Sequence, residues 1–226
     1  MAVRQRDPVV SQQRILDAAR EVFAEVGFDA ARVDEIARRA DINKRMLYHY
    51  FGSKENLYAE VLRLSVKDAW ERAETFLAAK SVDIVECATS AISAYFWYLV
   101  EHPEFIRLME WESLQGGRHA RRLFPDSFAP GMHQLEEALK DGVAAGVFRQ
   151  DLDIRQLLIS INGLCSAYLS RREILGFLWD EDMFSPQMLR KRLNHILELL
   201  FNGILQKKEH IPSQPENNTV TPDDCA

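Results

Sequence analysis

Val33-Asp34-Glu35-Ile36-Ala37-Arg38-Arg39-Ala40-Asp41-Ile42-Asn43-Lys44-Arg45-Met46-Leu47-Tyr48-His49-Tyr50-Phe51 holds two short helical patterns and the break between them. Val33, Ile36, Ala37 and Ala40 recur at three and four residues, the spacing of one helix face. Asp41-Ile42-Asn43 interrupts that face, and Asn43 is a residue type that caps a following helix, Lys44–Tyr50. Upstream, Ile15, Ala18, Ala19, Val22, Phe23 and Val26 repeat with the same period behind a capping Ser11, and Gly27 supplies a left-handed stop. Downstream, Gly52-Ser53 ends the third helix, and Ser53 caps a long one carrying Leu57, Val61, Leu62 and Trp70. Three short helices, the last two joined by a tight turn, outline a helix-turn-helix.

The remainder also reads as helix, and strand alternation of useful length is absent from the sequence. Ile84–Glu101 is apolar nearly all round in its second half, which places it in the middle of a bundle. His102-Pro103 ends it, and Glu104–Leu114 starts another helix. Gln115–Pro130, with its glycine and proline breaks, is expected to be a loop before a helix at Gly131–Ala145 that Gly146 stops. Asp153 caps a helix Ile154–Leu169, and Ser185-Pro186 is a strong start signal for a last helix reaching Leu205. Residues 206–226 are polar, acidic and proline-bearing, and are expected to be disordered. The expected division is a flexible arm at 1–10, a helix-turn-helix domain at 11–58, a helical domain at 59–205 and a tail at 206–226.

Composition narrows the class. The chain has 226 residues, 47% of them hydrophobic, with only 10 Gly and 8 Pro, so collagen-like and wholly disordered readings fall away. Apolar runs fall short of the roughly 18 residues that a membrane span needs. The polar start Met1-Ala-Val-Arg-Gln-Arg-Asp-Pro lacks the apolar middle of a signal peptide. Cys87, Cys165 and Cys225 are odd in number and widely spaced, which argues against a disulfide framework or a zinc site and for a reducing cytosol. Net charge is −6, yet residues 1–60 are balanced at ten basic against ten acidic, and Ile42–Lys54 carries Lys44, Arg45 and Lys54 with no acid. A globally acidic chain with one small basic face is built to meet an anion at one place. His102, Glu104, Glu110, Glu112, His119 and His133 match no metal-protease or paired-ligand spacing, and phosphate loops and nucleophile elbows are missing from the sequence. Neither catalysis, a metal nor a cofactor is expected; these groups read as helix-end and surface residues.

Five fragments in order resemble the DNA-binding domain of the TetR family of bacterial transcriptional regulators. They are Arg14-Ile15-Leu16-Asp17-Ala18-Ala19, Phe23-Ala24-Glu25-Val26-Gly27-Phe28, Val33-Asp34-Glu35-Ile36-Ala37, Leu47-Tyr48-His49-Tyr50-Phe51 and Ser53-Lys54-Glu55-Asn56-Leu57. The resemblance implies an all-α fold, with an N-terminal three-helix DNA-binding domain and a C-terminal helical bundle for ligand binding and dimerisation. It also implies a homodimer on a palindromic operator, commonly as a repressor, released by a small effector. The chain departs from the pattern at Arg32, where a capping Thr or Ser is usual, and at Asp41, where a turn Gly is usual. Arg45 and Met46 replace small or hydroxyl residues, so the operator sequence is this chain's own.

On the recognition helix, Leu47 and Phe51 form the rear face with Tyr50 at its edge, leaving Lys44, Arg45, Met46, Tyr48 and His49 outward. Arg45 suits guanine O6 and N7 bidentately, with His49 and Met46 as secondary base contacts. Lys44, Tyr48, Arg32 and Lys54 are placed for the phosphate backbone, Asn43 joins the DNA-binding set as the cap of this helix, and Arg4 and Arg6 fit a frayed terminus better than a minor-groove arm. The last two long helices carry Leu189, Leu193, Ile196, Leu197, Leu200 and Ile204, and Leu157, Leu158, Ile161, Leu164 and Leu169. That is more apolar stripe than one small domain buries, which predicts pairing across a two-fold axis. For the effector, Tyr95, Trp97, Tyr98, Phe105, Met109 and Trp111, with Phe96, offer an aromatic wall. Asn162, Ser93 and Ser166 interrupt apolar helices, and His102, His133, Arg171 or Arg172 can answer an acidic ligand group. This set suits a small aromatic or heteroaromatic metabolite of a catabolic operon. The alternatives are a regulator of drug efflux or lipid metabolism, and a helical interaction protein that leaves DNA alone.

Overall fold

The computed structural model describes residues 8–77, 83–127 and 129–205. The described residues are all-α. The first four helices are α1 (Pro8–Ala30), α2 (Val33–Arg39), α3 (Lys44–Phe51) and α4 (Lys54–Leu77). There follow α5 (Ile84–Glu101), α6 (Pro103–Leu114), α7 (Ala120–Ser127) and α8 (Ala129–Ala144). The described chain closes with α9 (Ile154–Ser170), α10 (Arg172–Trp179) and α11 (Pro186–Ile204). Arg4, Arg6, Cys225 and the expected tail lie outside the described residues.

Side-chain caps mark five of the helix starts among the described residues. Side chains of Asn43, Asp83, Asp153 and Ser185 accept from backbone N–H groups at the starts of α3, α5, α9 and α11. Ser53 does the same for α4, accepting from the Asn56 N–H at 3.1 Å. Ser11 is a correction: α1 already begins at Pro8, whose missing N–H costs nothing in a first turn, and Ser11 is buried inside the helix. The stretch 115–130 is another. Its glycines do turn the chain, with φ of 66° at Gly116 and 68° at Gly117, but Ala120–Ser127 then forms α7. Leu123 and Phe124 on α7 pack into the two apolar clusters, and this tertiary anchoring outweighs Pro125 within the helix. The short α10 carried no start signal and was not foreseen; Arg171 makes no side-chain cap there.

Two apolar clusters organise the molecule. The first gathers Ile15, Ala19, Phe23, Ile36, Leu47, Leu57, Tyr58 and Leu62 from α1 to α4, with Leu108 arriving from α6. The second gathers Phe96, Leu99, Ile106, Leu157, Cys165, Leu193 and Ile196 around α5. Helix α5 packs on α4, α6, α9 and α11, the central place its all-round apolarity predicts. Helix α4 belongs to both clusters: Leu57 to Leu62 lie in the first and Val66 in the second. Any tilt of α4 therefore moves both ends together.

Candidate nucleic-acid interface

The turn between α2 and α3 is tight because Asp41 adopts φ 50°, a left-handed conformation that Asp tolerates better than most residues. Its carboxylate also accepts from Arg14 Nη2 at 3.0 Å, tying the turn to α1. Helix α2 is held to α1 by Arg39, whose guanidinium donates to both Glu25 oxygens at 2.7 Å and to Glu35 at 2.8 Å. Arg38 and Arg39 together hold the Glu35 carboxyl down to about 2. These ion pairs are solvent-exposed, so they orient α2 more than they stabilise it.

On this support α3 presents one face. Leu47 is fully buried, and Phe51 and Tyr50 are half-buried behind the helix. Lys44, Arg45, Met46, Tyr48 and His49 are exposed on the other side. The Asn43 carboxamide accepts from Arg45 N–H at 2.8 Å, so its side chain serves the helix start. Lys44 Nζ lies 2.8 Å from Asp34 in the free protein, and a phosphate would have to replace that partner. Arg45 has no side-chain partner among the described residues, and Arg32 likewise stands exposed and unpaired at the start of α2. Lys54 opens α4 with its ammonium 4.6 Å above the Phe28 ring and 3.3 Å from the Asp29 carbonyl. The arrangement offers a groove-sized helix with one free arginine at its tip and cations on both sides, which is the geometry of major-groove readout.

The residues foreseen for an effector do not all meet. Trp97, Tyr98 and His102 line an open groove of about 610 Å³ between α4 and α5, together with Asp68, Glu71, Arg72 and Ala94. Tyr98 donates to the Ser65 carbonyl at 3.0 Å and stacks on His102, while Phe105 packs edge-on behind Tyr98. Tyr95 turns away from this groove, donating to Asn162 Oδ1 at 2.7 Å across the α5–α9 contact. Ser93 and Ser166 bond back to their own helices. Met109 is half-buried between the two apolar clusters, and His133 is exposed on α8. Arg171 is exposed, and Arg172 sits over the Phe184 ring. The buried Cys165 thiol is pushed up to about 12 by desolvation, which makes it inert packing.

Trp111 lies elsewhere again. Its indole covers Gly27, where an added Cβ would fall 2.8 Å from the ring, and its Nε1 donates to the Ala24 carbonyl at 3.3 Å. Beside it, Glu112 and His119 correct the expectation of surface groups. Glu112 is buried and accepts from Tyr58 Oη at 2.9 Å, from the backbone of His119 and Ala120, and contacts His119 Nδ1 at 3.1 Å. Burial pushes this carboxyl up, but the hydrogen bonds outweigh it and hold Glu112 below the usual carboxylate range. The His119 ring packs on Phe28 and Tyr58. So α6 and the turn after it are clasped to α1 and α4. A single Glu and a single His give no periodic signal, and only the fold brings Tyr58, 54 positions away, to the same spot.

Comparison with known proteins agrees with this geometry. Residues 15–61 match the family model described as "Bacterial regulatory proteins, tetR family", and residues 85–200 the model "Tetracyclin repressor-like, C-terminal domain". The chain is 33% identical to the HTH-type transcriptional repressor NicS of Pseudomonas putida, over 89% of this chain and 96% of that protein. It is 31% identical to the HTH-type transcriptional repressor SCO4008 of Streptomyces coelicolor, over 68% and 75% of the two chains. Its fold is similar to that of the transcriptional regulator FadR from Bacillus subtilis in complex with stearoyl-CoA, with TM-score 0.68, 25% identity and coverage of 84% and 98%. These relatives are transcriptional regulators, not enzymes.

Proposed function

This chain belongs to the TetR family of bacterial regulatory proteins, and on that premise we propose that it is a homodimeric repressor of a palindromic operator, released by a small effector. The observation that carries the DNA reading is α3, a rigidly backed helix whose one unpaired arginine, Arg45, stands among exposed Lys44, Tyr48 and His49. Arg45 reads guanine, His49 and Met46 contact neighbouring base edges, and Lys44, Tyr48, Arg32 and Lys54 hold phosphates. Asn43 supports this set by fixing the first turn of α3.

Much of the apolar stripe serves the single chain. Leu157, Leu169, Leu189, Leu193, Ile196, Leu200 and Ile204 are buried within it. Leu158, Ile161, Leu164 and Leu197 are half-buried, and Ile159 and Gly163 on α9, with Leu199 and Gly203 on α11, stand exposed. Both glycines have open space where a side chain would stand, so a partner helix can approach closely. Those two faces are the proposed two-fold interface.

The effector reading is the α4–α5 groove. Trp97 offers a flat apolar wall, and Asp68, Glu71, Arg72 and His102 add polar groups to the lining, Arg72 held by Glu101 at 2.8 Å and His102 by Glu104 at 3.1 Å. A small, flat, polar-edged molecule fits that lining, such as an aromatic or heteroaromatic metabolite of a catabolic operon. Asp68 also lies 3.5 Å from Arg20 of α1, so occupation of the groove acts on the contact between α4 and α1. By linkage, effector and DNA then weaken each other by the same factor. The likeness to a regulator holding stearoyl-CoA favours a second reading, an acyl thioester of lipid metabolism. A thermal-shift screen of aromatic acids and acyl-CoA thioesters separates the two. Stabilisation by aromatic acids that Trp97→Ala abolishes supports the groove; stabilisation by acyl-CoA alone, indifferent to Trp97→Ala, overturns it.

A further inference from the structure

Residues 113–125 form a second acid-free run, holding Arg118, His119, Arg121 and Arg122. Arg118, Arg121 and Arg122 are exposed and have no acidic partner among the described residues. Arg14, Arg20, Arg38, Arg39, Arg63, Arg72 and Arg155, by contrast, each lie within 4.0 Å of a carboxylate. In a chain of net charge −6, leaving three neighbouring arginines unpaired concentrates positive potential in one place. Arg118 lies in the turn that leads into α7, and Arg121 and Arg122 stand in the first turn of that helix, so the three are neighbours at its start. Leu123 and Phe124 anchor the helix in the protein.

The position of this cluster is defined by its neighbours. His119, between the arginines, packs on Phe28 at 4.5 Å between ring centroids, and the Lys54 ammonium lies 4.6 Å over the same ring. Gln115 reaches the Asp29 carboxylate at 3.4 Å, while Lys54 bonds the Asp29 carbonyl. The turn that carries the arginines and the phosphate-facing lysine thus share Phe28 and Asp29 as a common floor. The nearby acids are Asp29, which Gln115 contacts, Glu55 and Asp126, all three exposed, and Glu112, which is buried and committed to Tyr58, His119 and Ala120.

We infer that Arg118, Arg121 and Arg122 form a second phosphate-binding surface, by which the C-terminal helical part of the chain grips the backbone of the same DNA duplex that α3 reads. The clasp of Glu112 and Trp111 makes this surface part of the release device: an effector that shifts α6 and α7 moves these arginines off the phosphates as well as tilting α3. This inference rests on the DNA-binding reading above, and its test keeps the two apart. A duplex is selected with the wild-type protein from a random pool, and binding to it and to an unselected duplex is followed by fluorescence anisotropy across salt concentrations. R118Q/R121Q/R122Q is expected to weaken both duplexes by the same factor, up to about tenfold per lost phosphate contact at 0.1 M salt, and to flatten the salt slope by about 0.9 per contact. R118K/R121K/R122K should keep the wild-type slope, and phosphate-ethylation interference should lose one set of positions in the glutamine variant alone. Unchanged affinity, slope and interference in a glutamine variant with wild-type circular dichroism would overturn the inference while leaving the recognition helix standing. Failure of the wild-type protein to select any duplex would instead remove the DNA-binding reading, and this inference with it.

Discussion

Under the proposed function, Arg45 and Lys54 divide the labour of binding between base reading and phosphate contact. Arg45→Ala is expected to cost about five- to a hundredfold in affinity for the selected operator and little on random DNA, because a bidentate guanine contact reads sequence. Lys54→Ala should weaken both duplexes alike and lower the salt slope by about one ion. Anisotropy titrations with the two duplexes check this, and equal losses for both variants on both would refute the assignment. The Tyr58–Glu112 bond makes a different forecast. Tyr58→Phe removes a donor to a buried carboxylate and should cost about 1.5–3 kcal/mol of stability. The Glu112 carboxyl is held below its usual range in the folded protein, so its contribution is full above the ordinary carboxylate pKa and fades as pH falls through it. The stability gap between wild type and Tyr58→Phe should therefore be constant from pH 7 to about 5 and narrow below, as denaturation curves at each pH will show.

Helix boundaries were legible wherever a side chain makes the cap. Asn43, Ser53, Asp153 and Ser185 announced α3, α4, α9 and α11 because Asn, Asp and Ser close an N-terminus through their own oxygens. Helices α7 and α10 escaped because no side chain beside their starts makes a cap: Ala120 is capped by Glu112 from another helix, and α10 has no side-chain cap at all. The exposed face of α3 was readable for a related reason, since α3 must bury Leu47 and tuck Tyr50 and Phe51 behind it. The effector residues were not, because α5 is apolar on every side and its period says nothing about which aromatic meets the groove. Gly27 is the element-scale test. It combines φ 72° with ψ 175°, a conformation essentially reserved for glycine, and it sits under the Trp111 ring. Gly27→Ala should cost about 1–3 kcal/mol from the backbone alone. Displacement of the indole should also shift the Trp emission of the folded state; an unaltered spectrum and stability would show that the α1–α6 clasp is not where the structure puts it.

For the molecule as a whole, the two apolar clusters meet along α4 and along α6, whose Leu108 lies in the first and Phe105 and Ile106 in the second, so under the proposed function these two helices carry a shift in the second cluster toward α3. The proposed palindromic operator requires two copies of the chain. Leu199 is half-exposed on the outer face of α11, away from the core residues Leu193, Ile196 and Leu200. Leu199→Asp should fold normally, run as a monomer by light scattering at micromolar concentration, and lose most operator affinity. A dimer that survives both this change and Ile159→Asp would place the two-fold interface elsewhere, with the exposed Phe177 and Trp179 of α10 the next surface to examine.

A hydroxyl-radical footprint of the wild-type protein on a duplex selected from random sequence tests the central claim most directly. Two symmetric protected patches about one helical turn apart, roughly 34–36 Å, are predicted, centred on a palindrome whose half-sites contain guanine opposite Arg45. A single asymmetric patch, or a pool that never converges on a palindrome, would contradict it.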